Sequence, residues 1–262
     1  MALGDRTESR QGWAARPPRP CRSIRLALLA TLVLVATTTA GTVGVAPAPA
    51  LSIVIVKPSQ KLAVLFRPHE AMRRPSTHST PLYYVQARRP ITGERTVLPV
   101  IGRRTGAGGL RWLHVKLPGR PNGHTGWIRK RATVLATTRW HIVIDTSRRL
   151  ATIYKRGRPV RVFRVIVGKP STPTPLGRFF VEESIQLRAG AVGAPYALAL
   201  SARSNVFQEF AGGAGQIAMH GLANVGGMLG SAASHGCVRL STSAMSWLVV
   251  RVGPGAPVTI TR

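Results

Sequence analysis

The sequence predicts a mainly β protein with one short helix near its C-terminal end, and three observations carry that reading. Residues 111–117 read Arg-Trp-Leu-His-Val-Lys-Leu, with Leu113, Val115 and Leu117 on one face, as a half-buried strand requires. Residues 150–167 hold two apolar runs separated by Lys155-Arg156-Gly157-Arg158, a hairpin signal. Near the end the period turns helical: Ala244, Met245, Leu248, Val249 and Val252 share one helical face.

At 262 residues the chain has room for one large or two small domains plus a tail. Residues 1–25 are polar and arginine-rich, with Arg16, Arg19, Arg22 and Arg25 leading into Leu26–Ala50, where no residue is charged. A basic flank, an apolar centre and the small-residue finish Ala46-Pro47-Ala48-Pro49-Ala50 describe an export signal. Thr37-Thr38-Thr39 and the Gly and Pro that follow favour cleavage over the alternative, an uncleaved single-pass anchor, for which about 20 apolar residues suffice. The basic side fits the positive-inside rule in both cases. The protein is therefore expected to act outside the cytoplasmic membrane, secreted or held by residues 1–50.

Residues 51–80 contain strand-like pieces at 53–56 and 62–66, then a polar stretch with Pro75 and Pro81, and read as a linker. A domain of short strands and turns follows over 81–138. Its aromatics Tyr83, Tyr84, Trp112 and Trp127 suit either a ligand groove or a small core, while His114 and His124 lack paired ligands and read as surface residues.

The C-terminal domain, 139–262, opens with runs at 141–145, 150–154 and 160–167. The last is apolar on both faces for most of its length and reads as a buried strand; a β-sandwich-like domain is expected. The helix over about 242–251 has Ser241 or Thr242 to cap its start and Gly253 with Pro254 to end it.

Lys and Arg number 37 against 8 Asp and Glu, a formal charge of +29. Such an excess suits nucleic acid, anionic lipid or anionic wall polymer. Nucleic-acid binding calls for charge concentrated with stacking aromatics or on a recognition helix. Arginine is instead spread along the chain and through its turns, as a solvated surface with some affinity for anionic envelope polymers, and no nucleic-acid partner is expected.

The chemistry concentrates at Ala233–Leu240, Ala-Ser-His-Gly-Cys-Val-Arg-Leu, and at the upstream pair His220-Gly221. Cys21 precedes the apolar segment and is no partner for Cys237, so Cys237 is expected as a free thiol. A thiol becomes a strong nucleophile as thiolate, and an imidazole can take its proton. His235 lies too close in sequence to be aimed freely, whereas His220 arrives from a separate strand end; His220 is read as the base and His235 as support. A buried structural thiol is the competing reading, but the polar, glycine-flanked setting of Cys237 is poor core material. Zinc-type spacings such as Cys-x-x-Cys are missing, so no metal is expected. Backbone N–H groups around His235, Gly236 and Cys237 suit an oxyanion. Ser234 and Arg239 either brace the loop or meet substrate, Arg239 through a substrate carboxylate.

Ser234-His235-Gly236-Cys237-Val238-Arg239 with His220-Gly221 resembles the signature of the L,D-transpeptidase, or YkuD-type, catalytic domain. The resemblance spans residues 140–262. It includes His141-Ile142-Val143-Ile144-Asp145, Thr174-Pro175-Leu176-Gly177-Arg178-Phe179, Tyr196-Ala197-Leu198 and Gly255-Ala256-Pro257-Val258-Thr259-Ile260. It implies acyl transfer between peptidoglycan stem peptides through a Cys237 thioester, without a cofactor, and a Gly221 backbone carbonyl that orients His220. It also implies a donor site that Tyr196 either lines or merely packs beside. Leu222 stands where the family often has Thr. An L,D-carboxypeptidase, with water as acceptor, and a non-catalytic wall binder are the alternatives. Residues 81–138, with Tyr83-Tyr84-Val85 and Gly126-Trp127-Ile128, resemble a bacterial SH3-like domain, which implies a small barrel that binds wall material.

Overall fold

Seven strands make an N-terminal sheet: β1 (Gln60–Leu65), β2 (His69–Met72), β3 (Pro81–Val85), β4 (Val97–Thr105), β5 (Arg111–Lys116), β6 (Thr125–Arg129) and β7 (Thr133–Thr138). The structure is a computed structural model that describes residues 54–209 and 214–262; the expected export segment, 1–50, lies outside the described residues. The strand order is β3-β2-β6-β5-β4-β1-β7, antiparallel at every pairing.

The stretch expected as a linker needs correction, because β1 and β2 both come from it. β1 pairs along its length with β7 and through Leu62–Val64 with β4, and Leu62, Ala63 and Leu65 are buried. Without it the facing edges of β4 and β7 would be left unpaired, which a sheet avoids. Residues 54–56, by contrast, form no strand.

The alternation read in β5 holds. Leu113, Val115 and Leu117 join Leu65, Val85, Leu98 and Ile128 in one core. Trp112 faces the other way and is still only 2% exposed, with the Arg129 guanidinium 5.4 Å from its ring, whereas Tyr84 is open to solvent. His114 and His124 are not the free surface residues expected. His114 stacks on Trp127 at 4.6 Å and its Nε2 bonds Thr125, while His124 Nδ1 donates to the Pro121 carbonyl at 2.6 Å.

The C-terminal part contributes β8 (Trp140–Asp145), β9 (Leu150–Lys155), β10 (Arg158–Arg164), β11 (Val167–Gly168), β12 (Gly177–Gln186), β13 (Tyr196–Arg203), β14 (Gln216–His220), β15 (Ala232–Ser234), β16 (Val238–Arg239), helix α1 (Thr242–Val249) and β17 (Pro257–Thr261). Eight of these strands form one sheet, β10-β9-β8-β17-β12-β13-β14-β16, mixed because β8/β17 and β14/β16 run parallel. β11 and β15 make a separate parallel pair. The sandwich-like core is enclosed by this one sheet curling on itself: Ile142, Ile153, Val181, Leu198, Met219 and Val238 meet in a single cluster, into which α1 sends Ala244, Met245 and Leu248. Ser241 Oγ accepts the Ala244 N–H at 3.2 Å and caps the helix, as its sequence suggests. Among the described residues no helix is long and apolar enough to cross a membrane.

The hairpin β9–β10 forms as read, but its second strand is not buried. Val160 and Val162 are 46% and 55% exposed, because β10 is the edge of the sheet. Arg158, Pro159, Arg161 and Arg164 along it are the charges and proline that keep an edge from pairing with another chain. Of the run 160–167 expected to be buried, only Val165, Ile166 and Val167, just past β10, are so.

Strand β12 ties the two parts together. Its period-2 alternation sends Phe179 into the C-terminal core and Phe180 into the N-terminal one. Next to them Glu182 and Glu183 are buried. Glu182 pairs with Arg89 and, at 3.0 Å, with Arg203, and Glu183 accepts the Thr92 N–H and hydroxyl, each at 3.0 Å. Buried carboxylates persist only with such partners.

Candidate active site

Strand pairing brings the two sequence motifs together. β14 and β16 run parallel with Met219 opposite Val238 and His220 opposite Arg239. Ile217, Met219 and Val238 point into the core, so alternation turns Ala218, His220, Cys237 and Arg239 to the other face. The Ala218 N–H donates to Cys237 Sγ at 3.4 Å, holding the thiol against the strand. Among the described residues Cys237 is a free cysteine.

His220 ends β14, and its Nδ1 lies 2.8 Å from the Gly221 carbonyl. A carbonyl can only accept, so the ring proton sits on Nδ1 and Nε2 keeps its lone pair. That is the tautomer a base needs, and it is obtained without a carboxylate. The ring rests on the backbone of Gly193, where a Cβ would stand 2.5 Å from Nδ1. Gly193 also has φ of +81°, a conformation glycine adopts at little cost.

The Cys237 loop is shaped by buried hydroxyls. Ser234, fully buried, donates from Oγ to the Cys237 carbonyl at 2.6 Å and accepts the Gly236 N–H at 3.1 Å. Its observed contacts are thus loop bracing, and the Gly236 N–H, expected as an oxyanion donor, is already engaged. Thr174 Oγ1 donates to the Gly236 carbonyl at 2.9 Å and accepts the Gly168 N–H at 2.9 Å, and Thr172 Oγ1 donates to the Ser234 carbonyl at 3.2 Å. With those two carbonyls turned inward, the chain through His235 and Cys237 keeps one orientation. These two threonines were not among the expected site residues, although the block Thr174–Phe179 carried the signal.

A cavity of about 410 Å³ opens over this face, lined by His220, Cys237, His235 and Arg239 together with Ser204 and Phe207. His235 is exposed at its rim, its ring centroid 6.1 Å from that of Phe207. Arg239 makes no ion pair among the described residues, and its buried Nε has no hydrogen-bond acceptor there. Tyr196 starts β13, packs half-buried against the core and is not among the residues that line the cavity. Val192 and Val225 supply apolar lining that no motif marked. Among the described residues no group of three His, Cys, Asp or Glu side chains could hold a metal ion.

Burial pushes the Cys237 thiol above its ordinary 9.0, against the pull of the Ala218 N–H and the Arg239 charge. Burial likewise pushes the His220 imidazole below 6.5, opposed by the Gly221 carbonyl and reinforced by Arg239. Both shifts favour the uncharged forms, thiol and neutral imidazole. A thiol and an imidazole whose Nε2 keeps its lone pair, lining one cavity, are an arrangement suited to acyl transfer.

Residues 139–260 match the family model of the L,D-transpeptidase catalytic domain, YkuD. No curated protein matches the chain. Among solved structures, the chain is similar to an Enterococcus faecium L,D-transpeptidase mutant, with 25% identity over 46% of this chain and 49% of that one and a TM-score of 0.34. The chain thus spans about half the length of that protein. It is also similar to an L,D-transpeptidase from Mycobacterium smegmatis, with 17% identity over 63% of this chain and 99% of that one and a TM-score of 0.36. An L,D-transpeptidase from Mycobacterium tuberculosis matches with 18% identity over 64% of this chain and 90% of that one, at a TM-score of 0.40.

Proposed function

Residues 139–260 belong to the L,D-transpeptidase family as its catalytic domain, and from that premise we propose that the protein cross-links peptidoglycan stem peptides by acyl transfer through Cys237. The observation that carries this reading is the shared cavity of Cys237 and His220, with the His220 Nδ1 proton committed to the Gly221 carbonyl and Nε2 left as the base.

In the first half-reaction Cys237 Sγ attacks the carbonyl carbon that precedes a terminal D-alanine, and its proton moves to His220 Nε2. The backbone N–H of Cys237, with that of His235 beside it, meets the developing oxyanion, where one donor is worth about 3 kcal/mol. Collapse breaks the C–N bond, His220 returns the proton to the departing D-alanine amine, and a thioester remains. In the second half-reaction an amine of another stem attacks the thioester carbonyl and gives its proton to His220. The C–S bond breaks and the thiolate recovers that proton. Arg239, which makes no ion pair among the described residues, lines the cavity and presents a planar fork suited to a carboxylate of the donor stem.

The sequence of residues 1–50 supports action outside the cytoplasmic membrane. On the N-terminal sheet Arg103, Arg104, Arg111 and Lys130 line one hollow without a carboxylate, which supports contact with anionic wall polymer. The test is incubation with a D-alanine-terminated tetrapeptide, with and without an amine acceptor. Cross-linked product plus free D-alanine is expected from the wild type and neither from Cys237→Ala. Tripeptide alone, even with acceptor present, would point to the carboxypeptidase, and turnover in Cys237→Ala would overturn the mechanism.

A further inference from the structure

Two side chains from the connection between β5 and β6 reach across to the wall of the catalytic cavity. Arg120 Nη2 donates to the carbonyls of Ser204 and Phe207, both at 2.8 Å, and Nη1 to that of Ala214 at 3.3 Å. Asn122 pairs with the backbone of Arg203 in both directions, its Nδ2 donating to the carbonyl at 2.7 Å and its Oδ1 accepting the N–H at 2.8 Å. Nδ2 also reaches Asn205 Oδ1 at 3.2 Å.

The carbonyls held in this way belong to the stretch that supplies Ser204, Phe207 and Gly215 to the cavity. Residues 204–209 form no strand, so their backbone lacks the ladder that fixes β14 and β16. Locally the stretch is tied by the Ser204 N–H donating to the Gly215 carbonyl at 2.7 Å. A Cβ on Gly215, whose φ is +61°, would lie 2.2 Å from the Phe207 carbonyl oxygen. One guanidinium can serve three carbonyls at set spacings because its five donors lie in one rigid plane; an ammonium is a single point. Cys237 and His220 are held by other means: the β14/β16 pairing, Thr172, Thr174 and the Gly221 carbonyl.

We infer that Arg120 and Asn122 are positioning residues of the catalytic site: through the 203–207 backbone they set the shape of the wall that grips the donor peptide, and they leave the reactivity of the thiol alone. The N-terminal sheet is on this account part of the substrate site. The inference rests on the acyl-transfer reading of the cavity and adds to it which residues outside 139–260 determine substrate affinity.

The test uses the full chain with Arg120→Lys and Asn122→Ala. Each is expected to raise KM for a stem tetrapeptide about tenfold, the scale of losing hydrogen bonds from a well-placed polar donor. The rate of Cys237 alkylation by iodoacetamide should stay within twofold in both. A merely structural role would move alkylation and melting temperature together with KM. Should Arg120→Lys fail to fold, Asn122→Ala carries the same expectation. The variants are also made in a Cys237→Ala background and the tetrapeptide Kd is measured by calorimetry. Weakened binding there, with no turnover in the wild type, would sink the acyl-transfer reading and keep this inference. Normal turnover with KM and Kd unchanged within twofold in both variants would overturn this inference alone.

Discussion

Gly193→Ala puts the seating of His220 to a direct test. The new Cβ would stand 2.5 Å from Nδ1, 2.9 Å from Cγ and 3.1 Å from Cβ of the His220 ring. Ordinary contact begins near 3.4 Å, so the ring must retreat by about 1 Å, a misplacement that can cost a catalytic step about 100-fold. Alanine at φ of +81° adds a backbone cost of about 1–2 kcal/mol. At roughly 2–4 °C per kcal/mol for a unit of this size, the melting temperature falls by about 2–8 °C. Gly190 offers the matched control: its φ is also +81° and a Cβ there meets nothing within 4 Å. The assay is steady-state turnover of donor peptide well below the melting temperature of each variant. Gly193→Ala is expected to lose about 100-fold in kcat and Gly190→Ala less than threefold, with comparable losses of thermal stability. Equal turnover in the two variants would refute the argument that the backbone of Gly193 seats the base.

Since burial raises the Cys237 thiol above 9.0 and lowers His220 below 6.5, alkylation by iodoacetamide, which follows the thiolate, should climb continuously from pH 6 past pH 9. A plateau already present at pH 6 would reveal a standing ion pair instead. His141, pushed down to about 4 by burial and by the Arg178 charge, titrates at about 6.5 when unfolded. The unfolded chain therefore binds the extra proton first as pH falls. Up to about 3 kcal/mol of stability, fully present above pH 6.5, is lost progressively toward pH 4. His141→Asn should flatten that limb in thermal melts, and an unchanged acid limb would contradict the assignment. Glu182→Ala leaves the guanidiniums of Arg89 and Arg203 without their shared carboxylate. Breaking a buried pair costs about 3–5 kcal/mol, so a loss below 1 kcal/mol in denaturant titration would show that water already screens the cluster.

Local patterns carried most of what the sequence revealed. The β5 alternation, the β9–β10 hairpin and the Ser241-capped helix each depend on a few consecutive residues, and all three appear. Cys237 was legible because it sits in a polar, glycine-flanked segment unsuited to a core, and His220 because it ends an apolar run as a second His-Gly pair upstream. Burial of Val160 and Val162 was misjudged because an apolar run does not reveal whether its strand lies at an edge; the intervening Arg158, Arg161 and Arg164 held that information. Residues 60–72 read as linker because their partners β4, β6 and β7 lie far along the chain. Long-range pairing likewise hid Thr172 and Thr174, whose acceptors are the Ser234 and Gly236 carbonyls, and Arg120 and Asn122, whose partners are backbone groups of Arg203, Ser204, Phe207 and Ala214. The direction in which the Cys237 and His220 pKa values move depends on burial, which no motif spells out.

Whether Cys237 takes up an acyl group from a stem peptide can be read from the intact mass of the protein, quenched in acid during turnover of a D-alanine-terminated tetrapeptide. The account predicts an adduct equal to the tetrapeptide less D-alanine, mapped to Cys237, released by hydroxylamine and missing from Cys237→Ala. No adduct on the wild type during turnover, or an adduct of the same mass on Cys237→Ala, would contradict it.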